Sequence, residues 1–144
     1  DVVHHSQFID DLIQDKKIKP KPYIDEDITF HDPCYLGRHN NEYDAPRNVL
    51  QSVLQDGSIK EMEQSKSESF CCGAGGGNMW YEIKTGDRIN QNRVEQAVST
   101  EAKTVAAACN FCNIMLEDGV KTTGNENNIK VLDIAEMVSK GLAD

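Results

Sequence analysis

Five cysteines at near-equal intervals constrain this chain more than any other feature. Thirty-six residues separate Cys34 from Cys71, another thirty-six separate Cys72 from Cys109, and two separate Cys109 from Cys112. Each long interval matches one strand-helix-strand repeat, which takes about 30 residues or more. A fold that returns the chain to one sheet edge after each repeat brings such cysteines together. An odd count cannot pair off completely as internal disulfides, so metal or redox chemistry in a reducing compartment is the better account.

The hydrophobic pattern supports the repeat. From Val3 to Ile18, residues Phe8, Leu12 and Ile13 fall about one turn apart among polar residues, which predicts an amphipathic helix ended by Pro20 and Pro22. Asp27 to His31 alternates around Ile28 and Phe30 as a short strand, broken by Asp32-Pro33 just before Cys34. Pro46 suits the first turn of a helix whose apolar face is Val49, Leu50, Val53 and Leu54. Ile59 to Glu63 is a weaker strand, after which a polar stretch leads to Cys71-Cys72. Asp87 is expected to cap a helix through Ser99, with Ile89, Val94, Ala97 and Val98 inward. Thr104 to Ala108 reads as an apolar strand, followed by a helix from Cys109 to about Val120. Ile129 to Leu132 and Ile134 to Leu142 are a fourth strand and a closing helix.

The fold class expected is therefore α/β: a four-stranded parallel sheet with helices on both faces and right-handed crossovers, layered as in Rossmann and flavodoxin folds. Ligands of such sheets sit beyond the carboxyl ends of the strands, where all five cysteines are expected.

Composition removes several alternatives. A chain of 144 residues, 38% hydrophobic and 27% charged, can form one packed core without disulfide staples. Its net charge of -9 argues against a nucleic-acid partner. No run approaches the length of a transmembrane segment and no secretory segment opens the chain, so the expected location is cytoplasmic or peripheral to a membrane complex. The chain starts at Asp1 in an apolar run, which reads as a piece of a longer polypeptide. On that reading, residues 1–24 are a linker helix continuing from a missing N-terminal half, and residues 25–144 are the cysteine-bearing domain. No P-loop, Ser-His-Asp order or dinucleotide fingerprint is present.

Cys109 and Cys112 stand three apart at a helix start, which turns both sulfurs to one side and suits a tetrahedral metal. Adjacent side chains such as Cys71 and Cys72 normally diverge, and an inorganic core of several atoms can accept both. A single zinc takes four ligands; a fifth thiolate favours a larger iron-sulfur cluster. Gly73, Gly75 and Gly76, with Gly77, let the backbone approach closely and turn amide hydrogens toward sulfur. Such hydrogen bonds stabilise an anionic cluster. His31, three residues before Cys34, is a candidate to hydrogen-bond the cluster loop. His4 and His5 read as packing residues, and Asp32 as a turn former with Pro33. Arg88 and Arg93 read as solvated surface arginines, with Arg38 the best placed of the three to neutralise cluster charge. Trp80 and Tyr81 are read either as a shield over the cluster or as core.

The stretches His31-Asp-Pro-Cys-Tyr-Leu-Gly-Arg38, Phe70-Cys-Cys-Gly-Ala-Gly-Gly-Gly77 and Cys109-Asn-Phe-Cys112 resemble the cysteine-rich CCG domain of heterodisulfide reductase and its relatives. Those relatives include iron-sulfur proteins of lactate and glycolate oxidation and of anaerobic glycerol 3-phosphate dehydrogenase. The resemblance covers nearly the whole chain. It implies a noncubane 4Fe-4S cluster on Cys34, Cys71, Cys72, Cys109 and Cys112, a second CCG motif in the missing N-terminal half, and redox partner subunits. The function expected is relay of electrons from oxidation of a small organic acid or acyl substrate to a carrier, with disulfide reduction as the variant within that class.

Two rivals stand beside it. A zinc-stabilised, non-redox binding module would use four of the cysteines. A thiol-disulfide oxidoreductase built on Cys109 and Cys112 leaves the other three unexplained.

Overall fold

The computed structural model describes residues 2–81 and 86–143. Three strands, β1 (Ile28–His31), β2 (Thr104–Ala107) and β3 (Lys130–Asp133), form a parallel sheet in the order β1-β2-β3. Among the described residues five α-helices accompany it: α1 (His5–Gln14), α2 (Asp44–Gln51), α3 (Ile89–Val98), α4 (Asn110–Thr122) and α5 (Ile134–Leu142). Ile28 lies opposite Thr104 and His31 opposite Ala107, while Ala107 lies opposite Asp133. The three strands therefore end at one level.

Alternation along the strands divides the core in two. Ile28, Phe30, Ala106 and Ala108 pack with Val49, Leu50 and Val53 around α2 and with Ile134, Met137 and Val138 of α5. Val105 and Ala107 pack on the opposite face with Val94 and Ala97 of α3 and Met115, Leu116 and Val120 of α4. Every residue of β1 and β2 is buried, as befits strands covered on both faces. Full burial of Ile28, Phe30 or Val105 contributes about 1.5–3 kcal/mol each. His31 is opposite Ala107 in the register, so its side chain shares the α3–α4 face.

The sheet has three strands, not the four expected. Ile59 makes only an isolated parallel bridge to Ile28, through Ile28 N to Ser58 O at 2.9 Å and Lys60 N to Ile28 O at 2.7 Å. Beyond it the chain is charged, and Glu61 is drawn to Arg47 at 2.6 Å while Met62 turns into the α3–α4 core. Cys71-Cys72 consequently follows a 3₁₀ turn, Lys66–Glu68, rather than a strand.

Other boundaries shift for local reasons. α1 starts at His5 because His4 caps it, and it ends where Lys16 takes a left-handed φ of 59°. Its inward residues are Ile9 and Ile13, whereas Phe8 is exposed. Arg88, not Asp87, holds the N-cap position of α3, without a side-chain cap. Among the described residues no helix is long and apolar enough to cross a membrane.

Candidate metal centre

Three chain segments deliver the cysteines. β1 ends at His31, and Asp32-Pro33 carries the chain to Cys34. β2 ends at Ala107, Cys109 caps α4, and Cys112 lies in the first turn of that helix. The third segment brings Cys71 and Cys72 alongside β1: Arg38 Nη2 donates to Ser69 O at 2.7 Å, and Ser69 Oγ donates to Asp32 O at 3.2 Å. All five cysteines are free; Cys72 and Cys112 are buried, and Cys34, Cys71 and Cys109 are half-buried. Cys34, Cys71, Cys72 and Cys112 line one pocket with His31 and Arg38. A wider groove that shares Pro33, Cys34 and Cys112 with this pocket is also lined by Val2, His5, Tyr35 and Cys109.

Cys71, Cys72, Cys109 and Cys112 shift one another. Cys72 is held far below the ordinary thiol range by hydrogen bonds from Cys112 and Cys71, with His31 and the Ala74 amide adding to them. Cys112 is pushed up by its hydrogen bonds to Cys109 and Cys72 and by burial. The hydrogen bond to Cys72, followed by burial, likewise raises Cys71, and the Gly73 amide offsets part of that. Cys109 is lowered to about 6, first by Cys112 and also by the Cys112 and Phe111 amides at the start of α4. Cys72 and Cys109 thus favour the thiolate, while Cys71 and Cys112 favour the thiol. Thiophilic cations bind by displacing such protons.

Two amides of the glycine loop reach sulfur. Gly73 N lies 3.3 Å from Cys71 Sγ, and Ala74 N–H bonds to Cys72. Gly73 has φ 93°, and a Cβ there would sit 3.2 Å from Ile89 Cβ, so the tight turn behind the adjacent cysteines requires glycine. Gly75, Gly76 and Gly77 open a 3₁₀ segment, Gly75–Trp80, with free space where side chains would stand.

His31 is 1% exposed, and burial lowers its pKa. One ligating atom each of His31, Cys72 and Cys112 lies within 4.8 Å of the others. Asp32 does more than form a turn: its carboxylate accepts from Arg47 and from Lys66 N, the latter at 2.8 Å. His4 is structural, accepting from Ser6 N while its Nε2 lies 3.1 Å from Ala108 O. Trp80 and Tyr81 are 79% and 70% exposed, so they do not join the core. Arg88 is a partly exposed partner of Asp118.

Arg93 overturns its reading as a surface residue. It is completely buried and its Nε donates to His31 Nδ1 at 3.0 Å. The signal lay in its position: Ile89, Arg93 and Ala97 fall at four-residue steps, which puts a cation on the inward stripe of α3.

The family described as CCG, cysteine-rich domain, matches residues 28–117, a span holding all five cysteines. The chain is 40% identical over 142 residues to the probable iron-sulfur-binding oxidoreductase FadF of Bacillus subtilis, covering 99% of this chain and 20% of that protein. It is 40% identical over 149 residues to EtfAB:quinone oxidoreductase of Syntrophomonas wolfei, covering 99% of this chain and 21% of the relative. It is also 41% identical over 142 residues to one polypeptide of the dihydromethanophenazine:CoB--CoM heterodisulfide reductase of Methanosarcina barkeri, covering 99% and 34% respectively. The chain thus spans between a fifth and about a third of the length of these curated relatives. No solved structure matches it. The spacing that gathers the cysteines at one sheet edge lies within the matched span, and the chain belongs to the CCG cysteine-rich domain family.

Proposed function

We propose that this domain holds a noncubane 4Fe-4S cluster on Cys34, Cys71, Cys72, Cys109 and Cys112. Within an oxidoreductase complex it relays electrons from oxidation of a small organic acid or acyl substrate to a carrier. The observation that carries this reading is the convergence of five unpaired cysteines from three chain segments around one pocket and the groove beside it. That is one thiolate more than a tetrahedral zinc takes.

A bound cluster supplies one-electron redox chemistry. The chain's own residues hold and tune it. Gly73 and Ala74 direct amides at Cys71 and Cys72, and Cys109, the N-cap residue of α4, receives the Phe111 and Cys112 amides of its first turn. The names of the Syntrophomonas wolfei and Methanosarcina barkeri relatives each join two redox partners, which supports a relay. The partners in this reading are redox subunits and the remainder of a longer polypeptide carrying a second CCG motif. Disulfide cleavage is the variant favoured by the heterodisulfide reductase likeness and by the groove that reaches Cys34, Cys109 and Cys112.

Anaerobic reconstitution of the full-length protein with iron and sulfide, followed by iron, sulfide and zinc analysis, tests the reading. Iron and sulfide in the ratio of a 4Fe-4S cluster, with absorbance bleached by dithionite, is the expected result. Substrate-dependent bleaching without thiol release supports relay, and thiol formed from a supplied disulfide moves the assignment to disulfide cleavage. Zinc without iron under these conditions makes the domain a zinc-stabilised binding module.

A further inference from the structure

We infer that Arg93 fixes His31 as a hydrogen-bond donor to the Cys72 sulfur and so excludes this histidine from the metal's ligand set. The inference rests on the proposed cluster at Cys72, and concerns what the buried neighbours of that cysteine do. By proximity alone His31, Cys72 and Cys112 form a buried three-residue metal site. The hydrogen bonds behind the histidine say otherwise.

The guanidinium of Arg93 is anchored on every side. Nε donates to His31 Nδ1 at 3.0 Å, Nη1 to Gln64 O at 2.8 Å and Gln96 Oε1 at 2.6 Å, and Nη2 to Ser69 Oγ at 3.3 Å. Gln96 is itself held by Gln64, Nε2 to Oε1 at 2.6 Å. Burial lowers the Arg93 pKa only to about 10, so the group stays charged at neutral pH. A guanidinium offers donors and no acceptor. Nδ1 of His31 must therefore present its lone pair, and the single proton of the neutral ring sits on Nε2. That nitrogen is the one left to face Cys72.

A metal-bound histidine has the opposite polarity. Its lone pair points at the metal, and the other ring nitrogen donates its proton to a carboxylate, carbonyl or water. Here the other nitrogen meets a donor. Ligation through Nε2 would move the ring proton to Nδ1, directly against the Arg93 Nε–H. A carboxylate at this position would make His31 a ligand; the buried guanidinium makes it a donor. Hydrogen bonds to cluster sulfur help set the reduction potential, and a donor at Cys72 favours the more negative, reduced state. Arg93 is thus a positioning residue that acts through His31.

The test uses the full-length protein labelled with ¹⁵N-histidine, reconstituted anaerobically and reduced to a paramagnetic state. Pulsed EPR should show only the weak nitrogen coupling of a hydrogen-bonded histidine. The midpoint potential should fall in Arg93→Met and His31→Leu at unchanged iron and sulfide content, and should recover toward the parent value in His31→Gln, which restores an N–H donor. The large coupling of a directly bound histidine nitrogen overturns the inference, as does an unchanged potential in Arg93→Met. Where a variant does not fold or load, the coupling in the parent protein still decides. A protein that takes up no iron defeats the cluster reading instead. The ¹⁵N shifts of His31 in the metal-free protein then decide separately, the Nε2–H form supporting the inference and the Nδ1–H form overturning it.

Discussion

Arg47 holds Asp32 through both carboxylate oxygens, Nη1 to Oδ1 at 2.8 Å and Nη2 to Oδ2 at 3.0 Å, with the Asp32 side chain only 2% exposed. Asp32 Oδ2 also accepts from Lys66 N. One carboxylate thereby ties α2 and the 66–68 turn to the exit of β1, two residues before Cys34. Asp32→Ala leaves the Lys66 amide without its buried acceptor, while Arg47 keeps Glu61 and Tyr43 O as partners. Unfolding by urea should show a loss of about 1–3 kcal/mol, the range for leaving a buried donor unsatisfied.

Cys109 should be the first thiol alkylated in the metal-free chain. Its pKa is lowered from 9.0 to about 6, Cys71 and Cys112 are pushed up, and Cys72, held lower still, is buried from the reagent. Iodoacetamide labelling followed by peptide mass spectrometry should give a Cys109 rate that rises through a midpoint near 6 and levels off above it. The linkage has the sign of a depressed acid. Stability from this thiolate is fully present above 9.0 and is lost as pH falls through about 6.

Gly119→Ala places a Cβ 2.8 Å from Val94 Cγ2 and 2.9 Å from Asn90 O. The Asn90 backbone cannot yield easily, because its side chain is already bonded to Met115 O at 3.0 Å and to Asp118 at 2.8 Å. Overpacking of this kind costs about 1–3 kcal/mol, against which alanine returns up to about 1 kcal/mol of helix propensity. A melting temperature lowered by a few degrees is expected, since each kcal/mol moves it by about 2–4 °C in a domain near this size.

His4→Ala removes the α1 cap, worth about 0.5–2 kcal/mol for a good capping side chain. It also removes the Nε2 contact to Ala108 O just before Cys109. Hydrogen exchange should speed up at the Ser6 amide and at the start of α1. The cap requires a neutral ring, because Nδ1 accepts from Ser6 N, and the His4 pKa is lowered by burial and by His5. Protonation opposes the cap, so this contribution is present above pH 6.5 and is lost as pH falls through the depressed folded value.

The repeat, the helices and the meeting of the cysteines are legible in the sequence because spacing and apolar periodicity encode them directly. α5 falls on the predicted residues, and β2 ends one residue early. The missing strand shows what periodicity omits. Ile59 to Glu63 has apolar residues only at Ile59 and Met62, three apart rather than two, and Arg47 and the α3–α4 core draw Glu61 and Met62 away from the sheet. The spacing of Phe8 fits a helix face as well as that of Ile9 and Ile13 does, and only tertiary contact chooses between them. Arg93 is hard to read from sequence because a charged residue is ordinarily solvated. Its partners His31, Ser69 and Gln64 lie at least 24 residues away and carry no local signal.

The pairing of β1 with β2 also sets when the cysteines can meet. Residues 32–103 lie between the two strands, so a chain emerging from the ribosome holds Cys34, Cys71 and Cys72 long before Cys109 and Cys112 exist. Such non-local pairings close late, after the loop entropy between them has been overcome. Until β2 docks, the early thiols have neither the α4 amides nor the Cys112 hydrogen bond that shape the finished set. The full thiol set therefore exists only once Cys112 has been made and β2 has docked beside β1.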